Sequence, residues 1–364
     1  MHGDVYADMM VALSVRWPQD NLLAVMAAEA IMSAQPWDYW EADGITNKGR
    51  AATAIALAET VLARAPNDPQ AIHLLIHLTE ASGHPERAAA AAARLEGVAP
   101  AAPHMVHMPS HTWYRLGRFA DSVAANQRAI AADEAYARAV GAEPRFYGYF
   151  NHHTHFILSS AMQLGDRATA LAAATALEAS LTPDKVAGNA RAEMRRLSST
   201  QARLHFMTQD EVLAMPEPDG RLALTRILWR GARAEALASK GQIGAATAEL
   251  KALRSARTAF FRPGRSPEDT RQRLIAMIDG SAQAHLLAAR GDTEAALRLY
   301  QSLETVEARL PYSEPPLWPI PIAVRAGELR LAQGDKAGAA ADFRRALALR
   351  PGLRLAAQGL ANAG

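Results

Sequence analysis

Helical patterns dominate the chain. Long stretches are rich in Ala, Leu, Arg and Glu, which are good helix formers. No segment shows the alternation of apolar and polar residues that predicts a strand. The pattern predicts helices over residues 5–17, 20–34 and 49–65, and a further helix with a Pro-rich loop over about 190–218. We therefore expect an all-α protein.

A glycine recurs between paired helical patterns, and a small residue follows it five positions later. The glycine-to-glycine spacings are 34, 48, 76, 50 and 43 residues, so insertions separate most of the copies. The six pairs are Gly83 and Ala88, Gly117 and Ser122, Gly165 and Ala170, Gly241 and Ala246, Gly291 and Ala296, and Gly334 and Ala339.

This arrangement resembles the tetratricopeptide repeat, a helix–turn–helix of about 34 residues. In that repeat the glycine ends helix A, and the small residue lets helix B pack closely. With the glycine at repeat position 15, Pro66, Pro100 and Pro351 fall at position 32, where the family's pattern ends helix B. The resemblance implies a right-handed α-solenoid of about seven irregular repeats. We expect His-rich N-terminal repeats over 1–180 and C-terminal repeats with inserted loops over 181–364, in one continuous solenoid.

Composition excludes several classes of protein. The chain has no Cys, which excludes disulfide scaffolds, thiolate zinc sites, cysteine-ligated iron–sulfur clusters and catalytic thiols. The net charge of +2 gives no electrostatic case for nucleic acid or an anionic membrane. No apolar run is long enough to predict a membrane span, and no signal peptide is evident, so we expect a cytoplasmic protein. Because the first helix begins almost at residue 1, we also expect upstream residues in a longer precursor.

Histidine is concentrated in one part of the chain. Nine of the 12 His lie between residues 73 and 155, far more than even scattering would place there. Spacings of three and four residues put them on shared helix faces. These sets are His73 and His77 with Glu80, then His104, His107 and His111, and finally His152 and His155.

The repeat frame aligns these residues in three successive copies of helix A. Positions 2, 5, 9 and 12 of helix A face the concave groove of tetratricopeptide arrays, so the resemblance implies that the side chains converge there. Tyr114 also falls at position 12, whereas His153 falls at position 3, beside the groove. The converging residues are His73, His77, His104, His107, His111, His152, His155 and Glu80.

A cluster of imidazoles is energetically unfavourable unless the side chains bind a ligand. Neighbouring imidazoles compete for hydrogen bonds, and like-charge repulsion penalises protonation of more than one. A transition metal ion removes both problems, because neutral imidazole is a common nitrogen ligand. All seven His are therefore candidate ligands, with Glu80 as a ligand or general base and Tyr114 as a polar group beside them. The set suffices for one ion or two and suits copper, iron, zinc or manganese. A structural or pH-sensing cluster is the alternative.

Two segments carry a closer resemblance. Residues 71–80 contain an H-x-x-x-H helix, and residues 99–117 contain the string Pro-His-Met-Val-His-Met-Pro-Ser-His. Both are similar to a His-rich family of bacterial tetratricopeptide-repeat proteins, and the likeness runs from about residue 6 to about residue 177. The second string is long and specific. The resemblance strengthens the predicted site and leaves the reaction open.

Other features bear on access to this site. Pro109 lies inside the second His-bearing segment, where it either kinks the helix or begins the helix proper. The aromatic loop 37–40 and the insertion 146–150 are more apolar than is usual for solvent-exposed loops. As lids over the groove they would exclude water. Packing at the end of the solenoid explains Trp37 and Trp40 equally well.

Two functions from different classes follow. The first is a metalloenzyme, either a hydrolase or an oxidase or oxygenase, that acts on a small molecule or peptide in the groove. The second is a non-catalytic scaffold that binds a peptide or protein partner, as most tetratricopeptide arrays do. Grooves of that kind usually carry Lys, Arg and Asn, and His that is mostly neutral is a poor clamp for anions. The sequence therefore favours the metalloenzyme, with no nucleic-acid or membrane partner.

Overall fold

A computed structural model describes residues 2–142, 149–261 and 269–364. Within these ranges all regular structure is helical, apart from one isolated antiparallel bridge between Trp40 and Asn47. The prediction of an all-α protein is therefore confirmed. Among the described helices, none is long and apolar enough to cross a bilayer.

The residues form two compact units, Met1–His153 and Thr154–Gly364. In the first unit most helices pack on the helix that follows them or on the next but one, which is the contact pattern of helical repeats. The helices that begin in this unit are α1 (His2–Arg16), α2 (Asn21–Ala34), α3 (Ala51–Arg64), α4 (Pro69–Glu80), α5 (Ala89–Val98), α6 (Pro103–His107), α7 (Pro109–Arg115), α8 (Phe119–Val140) and α9 (Phe150–Leu164), with a 3₁₀ turn at Pro85–Ala88.

The second unit follows the same pattern of sequential packing. Its helices after α9 are α10 (Arg167–Ser180), α11 (Pro183–Val186), α12 (Ala190–Phe206), α13 (Gln209–Ala214), α14 (Ala223–Ser239), α15 (Ile243–Phe260), α16 (Thr270–Ala289), α17 (Thr293–Glu307), α18 (Ile322–Ala332), α19 (Lys336–Leu349) and α20 (Arg354–Ala363).

The predicted glycines end helix A in most repeats. At Gly117, between α7 and α8, φ is +73°, a conformation that strains residues carrying a Cβ. Gly83 differs, because it is absent from the left-handed region and a 3₁₀ turn follows it. The other repeat glycines with positive φ are Gly165, Gly241, Gly291 and Gly334.

The small residues behave as the repeat predicts. All six of them, from Ala88 to Ala339, are completely buried. Each lies near the start of the second helix of a pair, where a larger side chain would force the two helices apart. The helices expected over 5–17, 20–34 and 49–65 correspond to α1, α2 and α3. Within each unit the protein is thus an all-α helical-repeat array, the fold class that was predicted.

Candidate metal centre

Helix α4 holds three candidate residues in one row. The Asp68 carboxylate caps the helix by accepting a hydrogen bond from the Ala71 N–H at 2.8 Å. One side of α4 contributes Leu75 and Leu78 to the core of the first unit. The helical period directs the opposite side away from that core. The row consists of His73, His77 and Glu80.

A second helical segment holds three more His, and a break divides it. Helix α6 ends at His107 and α7 begins at Pro109, which has no N–H to donate to the preceding turn. The chain stays helical across the break, because the Met108 N–H donates to the His104 carbonyl at 3.1 Å and the His111 N–H donates to the Met108 carbonyl at 3.2 Å. Pro109 therefore begins a helix, which is one of the two roles expected for it.

The first group of three His joins α4 to α6. One ring nitrogen from each of His73, His77 and His104 lies within 4.8 Å of the other two. Nε2 of His73 is 3.2 Å from Nε2 of His104, and all three residues are half-buried. Imidazole nitrogens bond to zinc at about 2.1 Å, so nitrogens that share a tetrahedral ion are about 3.4 Å apart, close to the distance between Nε2 of His73 and Nε2 of His104.

The second group joins α6, α7 and α9. One ring nitrogen from each of His107, His111 and His152 again lies within 4.8 Å of the others. Nε2 of His107 is 2.7 Å from Nε2 of His111, and the ring of His152 lies 4.6 Å from that of His107. His107 and His111 are buried, whereas His152 is half-buried. The six His thus form two groups that adjoin, because the ring of His77 lies 5.1 Å from that of His111.

Glu80 connects the two groups. Its Oε1 lies 2.6 Å from Nδ1 of His77 in the first group, and its Oε2 lies 2.6 Å from Nδ1 of His111 in the second. The side chain is 1% exposed. An ionised carboxylate only accepts hydrogen bonds, so both imidazoles donate from Nδ1 and carry their lone pairs on Nε2. This is the arrangement by which carboxylates orient metal-binding His in proteins.

Asn126 on α8 sets the orientation of His107 in the same way. Its Nδ2 donates to the Ser122 carbonyl at 2.8 Å, which turns its Oδ1 toward Nδ1 of His107 at 2.6 Å. The imidazole therefore donates from Nδ1 and carries its lone pair on Nε2. The Nε2 lone pairs of His107 and His111 then meet at 2.7 Å. That contact is repulsive unless a proton lies between the two nitrogens, or unless they move apart to bind one metal ion.

Burial favours the neutral form of His107 and of His73. The pKa of His107 is lowered well below its usual value, mainly by burial and then by the neighbouring His111 and His152. Burial, followed by His77 and His104, lowers the pKa of His73 to about 2. A neutral imidazole is the form that binds a metal ion.

Three residues beside the second group were not among the predicted site residues, namely His153, Asn126 and Asp133. His153 is fully buried, its ring lies 4.7 Å from that of His107, and its Nδ1 lies 2.8 Å from Oδ2 of Asp133. Within the described residues Nε2 of His153 has no hydrogen-bond partner. Asn126 and Asp133 both lie on α8, the second helix of a repeat, and no spacing rule in the sequence points from there to the His.

Two predicted site residues lie outside the three-His groups. His155 belongs to the second unit, where its Nε2 is 2.7 Å from the Ser198 hydroxyl and its Nδ1 has no partner within the described residues. Neither group includes it. Tyr114 is buried, and its ring packs edge-on against Phe119 at 5.1 Å. The roles of His155 and Tyr114 at the site stay predictions.

Aromatic side chains flank the first group. Trp37 is 50% exposed, has φ of +64°, and packs edge-on against His77 at 5.1 Å. Tyr149 is half-exposed and lies 4.4 Å from the ring of His104. Trp40 is structural, because its Nε1–H donates to the Leu78 carbonyl at 2.7 Å. Most of the insertion 146–150 lies outside the described residues.

Comparisons with known proteins identify no family. No protein-family profile matches the chain, and no curated protein matches it. Among solved structures, the tetratricopeptide-repeat domain of P58(IPK) matches 94% of this chain and 97% of that domain, at 12% identity and a TM-score of 0.26. A TM-score this low carries no argument. The repeat fold rests on the helix packing within each unit.

Proposed function

We propose that the protein is a metal-dependent enzyme whose centre holds two transition metal ions, one in each three-His group. One observation carries the proposal: Glu80 contacts Nδ1 of one imidazole from each group, and each of these imidazoles has a ring nitrogen within 4.8 Å of ring nitrogens from two other His of its group. A carboxylate that orients two His toward two separate sets of nitrogens is typical of a metal site.

The donor set agrees with this proposal. Three neutral imidazoles form a ligand set that leaves a coordination position open for water or substrate, as in catalytic zinc sites. Nitrogen ligands suit zinc, copper and iron, whereas manganese prefers oxygen ligands, so the first three are favoured among the ions expected from the sequence. Ions held there supply either an activated water for hydrolysis or a site for oxygen.

The surroundings suggest how a substrate enters. The first group is half-buried, and the exposed rings of Trp37 and Tyr149 lie against it. The second group contains the buried His107 and His111. A small molecule or peptide would approach from the side of the first group, between aromatic side chains that limit the access of water. Glu80 acts as a positioning residue in this scheme, because both of its oxygens face imidazoles.

Metal content tests the proposal. Tag-free protein should contain about two equivalents of one transition metal by plasma mass spectrometry, one for each three-His group. His73→Ala should remove the ion of the first group, His107→Ala should remove the ion of the second, and the double variant should remove both. His84→Ala is the matched control, because the His84 side chain is exposed and, among the described residues, pairs only with Glu86.

The outcome separates the two classes of function. Protein that binds no copper, iron or zinc after reconstitution would contradict the metalloenzyme. The scaffold that binds a peptide or protein partner would then be the remaining hypothesis. Equal metal content in His107→Ala and the parent protein would contradict the two-ion arrangement.

A further inference from the structure

The second unit contains a cavity of about 420 Å³, a volume within the range of small-molecule sites. Its walls come from α12, α14, α16 and α18 and from the segment before α18. It is independent of the two His groups, because every residue that lines it belongs to Thr154–Gly364. The proposed metal centre neither requires nor explains it.

The cavity has an apolar side. Leucine and isoleucine side chains from α12, α14 and α16 line it together with a tryptophan from the segment before α18. Such a surface favours the hydrocarbon part of a ligand, because burial of apolar surface is worth about 25 cal/mol per Å². The residues are Leu204, Leu228, Ile278 and Trp318.

The charged side of the cavity has an excess of negative charge. Arg325 pairs with Glu235, their Nη2 and Oε2 atoms lying 3.3 Å apart. Glu328 lines the same cavity one helical turn after Arg325, and it makes no hydrogen bond to any described residue. One guanidinium therefore faces two carboxyl groups, and burial raises the pKa of Glu328 while the charge of Arg325 opposes that shift. Burial is the main cause that lowers the pKa of His205 and of His285, so neither imidazole supplies the missing positive charge at pH 7.

One buried polar group of the cavity lacks a partner. Ser281 is 6% exposed, and its hydroxyl has no hydrogen-bond partner within the described residues. It lies one helical turn before His285, whose Nε2 is 2.7 Å from the Ser239 hydroxyl. Buried hydroxyls are usually hydrogen-bonded, so the Ser281 hydroxyl is free to bond with a polar group that enters the cavity.

We infer that this cavity binds a small organic cation, a primary ammonium group on an apolar body. Glu328 is the ion partner of the ammonium, Ser281 accepts one of its hydrogen bonds, and the apolar side receives the hydrocarbon. An ammonium has three donors and no acceptor. It therefore matches the Glu328 carboxylate and the Ser281 hydroxyl oxygen, both of which can accept a hydrogen bond. An anion would meet two carboxylates around a guanidinium that is already paired.

Isothermal titration of the full chain with three six-carbon probes tests this inference. Hexylammonium should bind at least about tenfold more tightly than hexanol, because its charge-assisted hydrogen bonds are absent in the alcohol. Hexanoate should bind more weakly than both. Glu328→Gln should reduce the affinity for hexylammonium about tenfold, whereas Glu294→Gln, at an exposed position on α17, should leave it unchanged.

Further outcomes are decisive. Equal binding of hexylammonium and hexanol, preferred binding of hexanoate, or unchanged affinity in Glu328→Gln would overturn the inference. N-acetyl-lysine methylamide distinguishes the two sources of an ammonium, because it presents the lysine side chain of a peptide. Binding that depends on Glu328 supports the inference with either probe, and the preferred probe identifies a peptide or a free amine. Metal content does not enter any of these readings, so they stand apart from the proposed function.

Discussion

At the residue scale, Glu80 gives the sharpest test of the metal centre. The variant Glu80→Gln keeps the shape of the side chain but offers one acceptor oxygen and one donor NH₂. One of the two imidazoles must then accept at Nδ1, which moves its proton to Nε2 and removes the lone pair that faces its group. We expect metal affinity to fall about 10- to 100-fold at one group or both. Competition with a chromogenic chelator measures this change.

The same unit offers a matched control for Glu80. Glu86 lies 3.0 Å from Nδ1 of His84 on the surface, where both side chains are more than half exposed. Glu86→Gln therefore removes a His–carboxylate contact without touching either group, and it should leave metal affinity unchanged. If Glu80→Gln bound metal as tightly as the parent protein, the orienting role of the carboxylate would be wrong.

At the scale of elements, the segment between α2 and α3 contains one tryptophan that stabilises the fold. Trp40 donates from Nε1 to the Leu78 carbonyl on α4. Trp40→Phe keeps an aromatic ring and deletes that donor, leaving a partly buried carbonyl with one interaction fewer. The free energy of unfolding should fall by about 1–2 kcal/mol. Urea unfolding followed by circular dichroism measures the loss, and the release of metal to a chelator should keep its parental rate.

Trp37, in the same segment, should affect the rate at which metal is released. Glycine adopts its φ of +64° without strain, whereas tryptophan pays about 1–2 kcal/mol there. Trp37→Gly also loses an edge-on ring contact with His77 worth about 0.5–1.5 kcal/mol. The exposed ring no longer covers the first group, and release of metal to a chelator should become faster. Unchanged release kinetics would contradict a covering role.

The arrangement of the helices also determines how much of the site can be predicted from the sequence. Glycine and small residues mark the helix pairs, because a left-handed turn and a close helix contact each admit few residue types. The positions of the His on helix A can be predicted too, because the repeat frame fixes which side chains of that helix share one face. Asn126 and Asp133 could not be predicted, since their contacts depend on how α8 crosses α6 and α9. Division into two groups depends on the distances on either side of Glu80, which no spacing in the sequence determines.

At the scale of the whole molecule, buried ionisable groups of the second unit make stability depend on pH in opposite directions. Burial lowers the pKa of His155 to about 3, and burial raises the pKa of Glu307 to about 7. Near pH 5.5 the unfolded chain has a protonated His155 and an ionised Glu307. The folded chain has a neutral His155 and a protonated Glu307. The stability that His155 contributes is complete above its unfolded pKa of 6.5 and is lost as the pH falls. The contribution of Glu307 is present at low pH and is lost as the pH rises through about 7.

The variant His155→Gln removes the first of these titrations while retaining polar atoms that can bond to the Ser198 hydroxyl. Between pH 6.5 and pH 5 the parent protein should lose about 1.5 kcal/mol of unfolding free energy relative to this variant, because only the unfolded parent gains a proton at residue 155. Glu307→Gln should show the opposite trend, gaining on the parent as the pH rises from 5 to 7.5. Urea unfolding in the presence of a chelator measures both trends without a contribution from bound metal. Parallel pH profiles for His155→Gln and the parent would mean that the imidazole is protonated in the folded chain. The solvent would then reach this part of α9, in contradiction to the burial of His155.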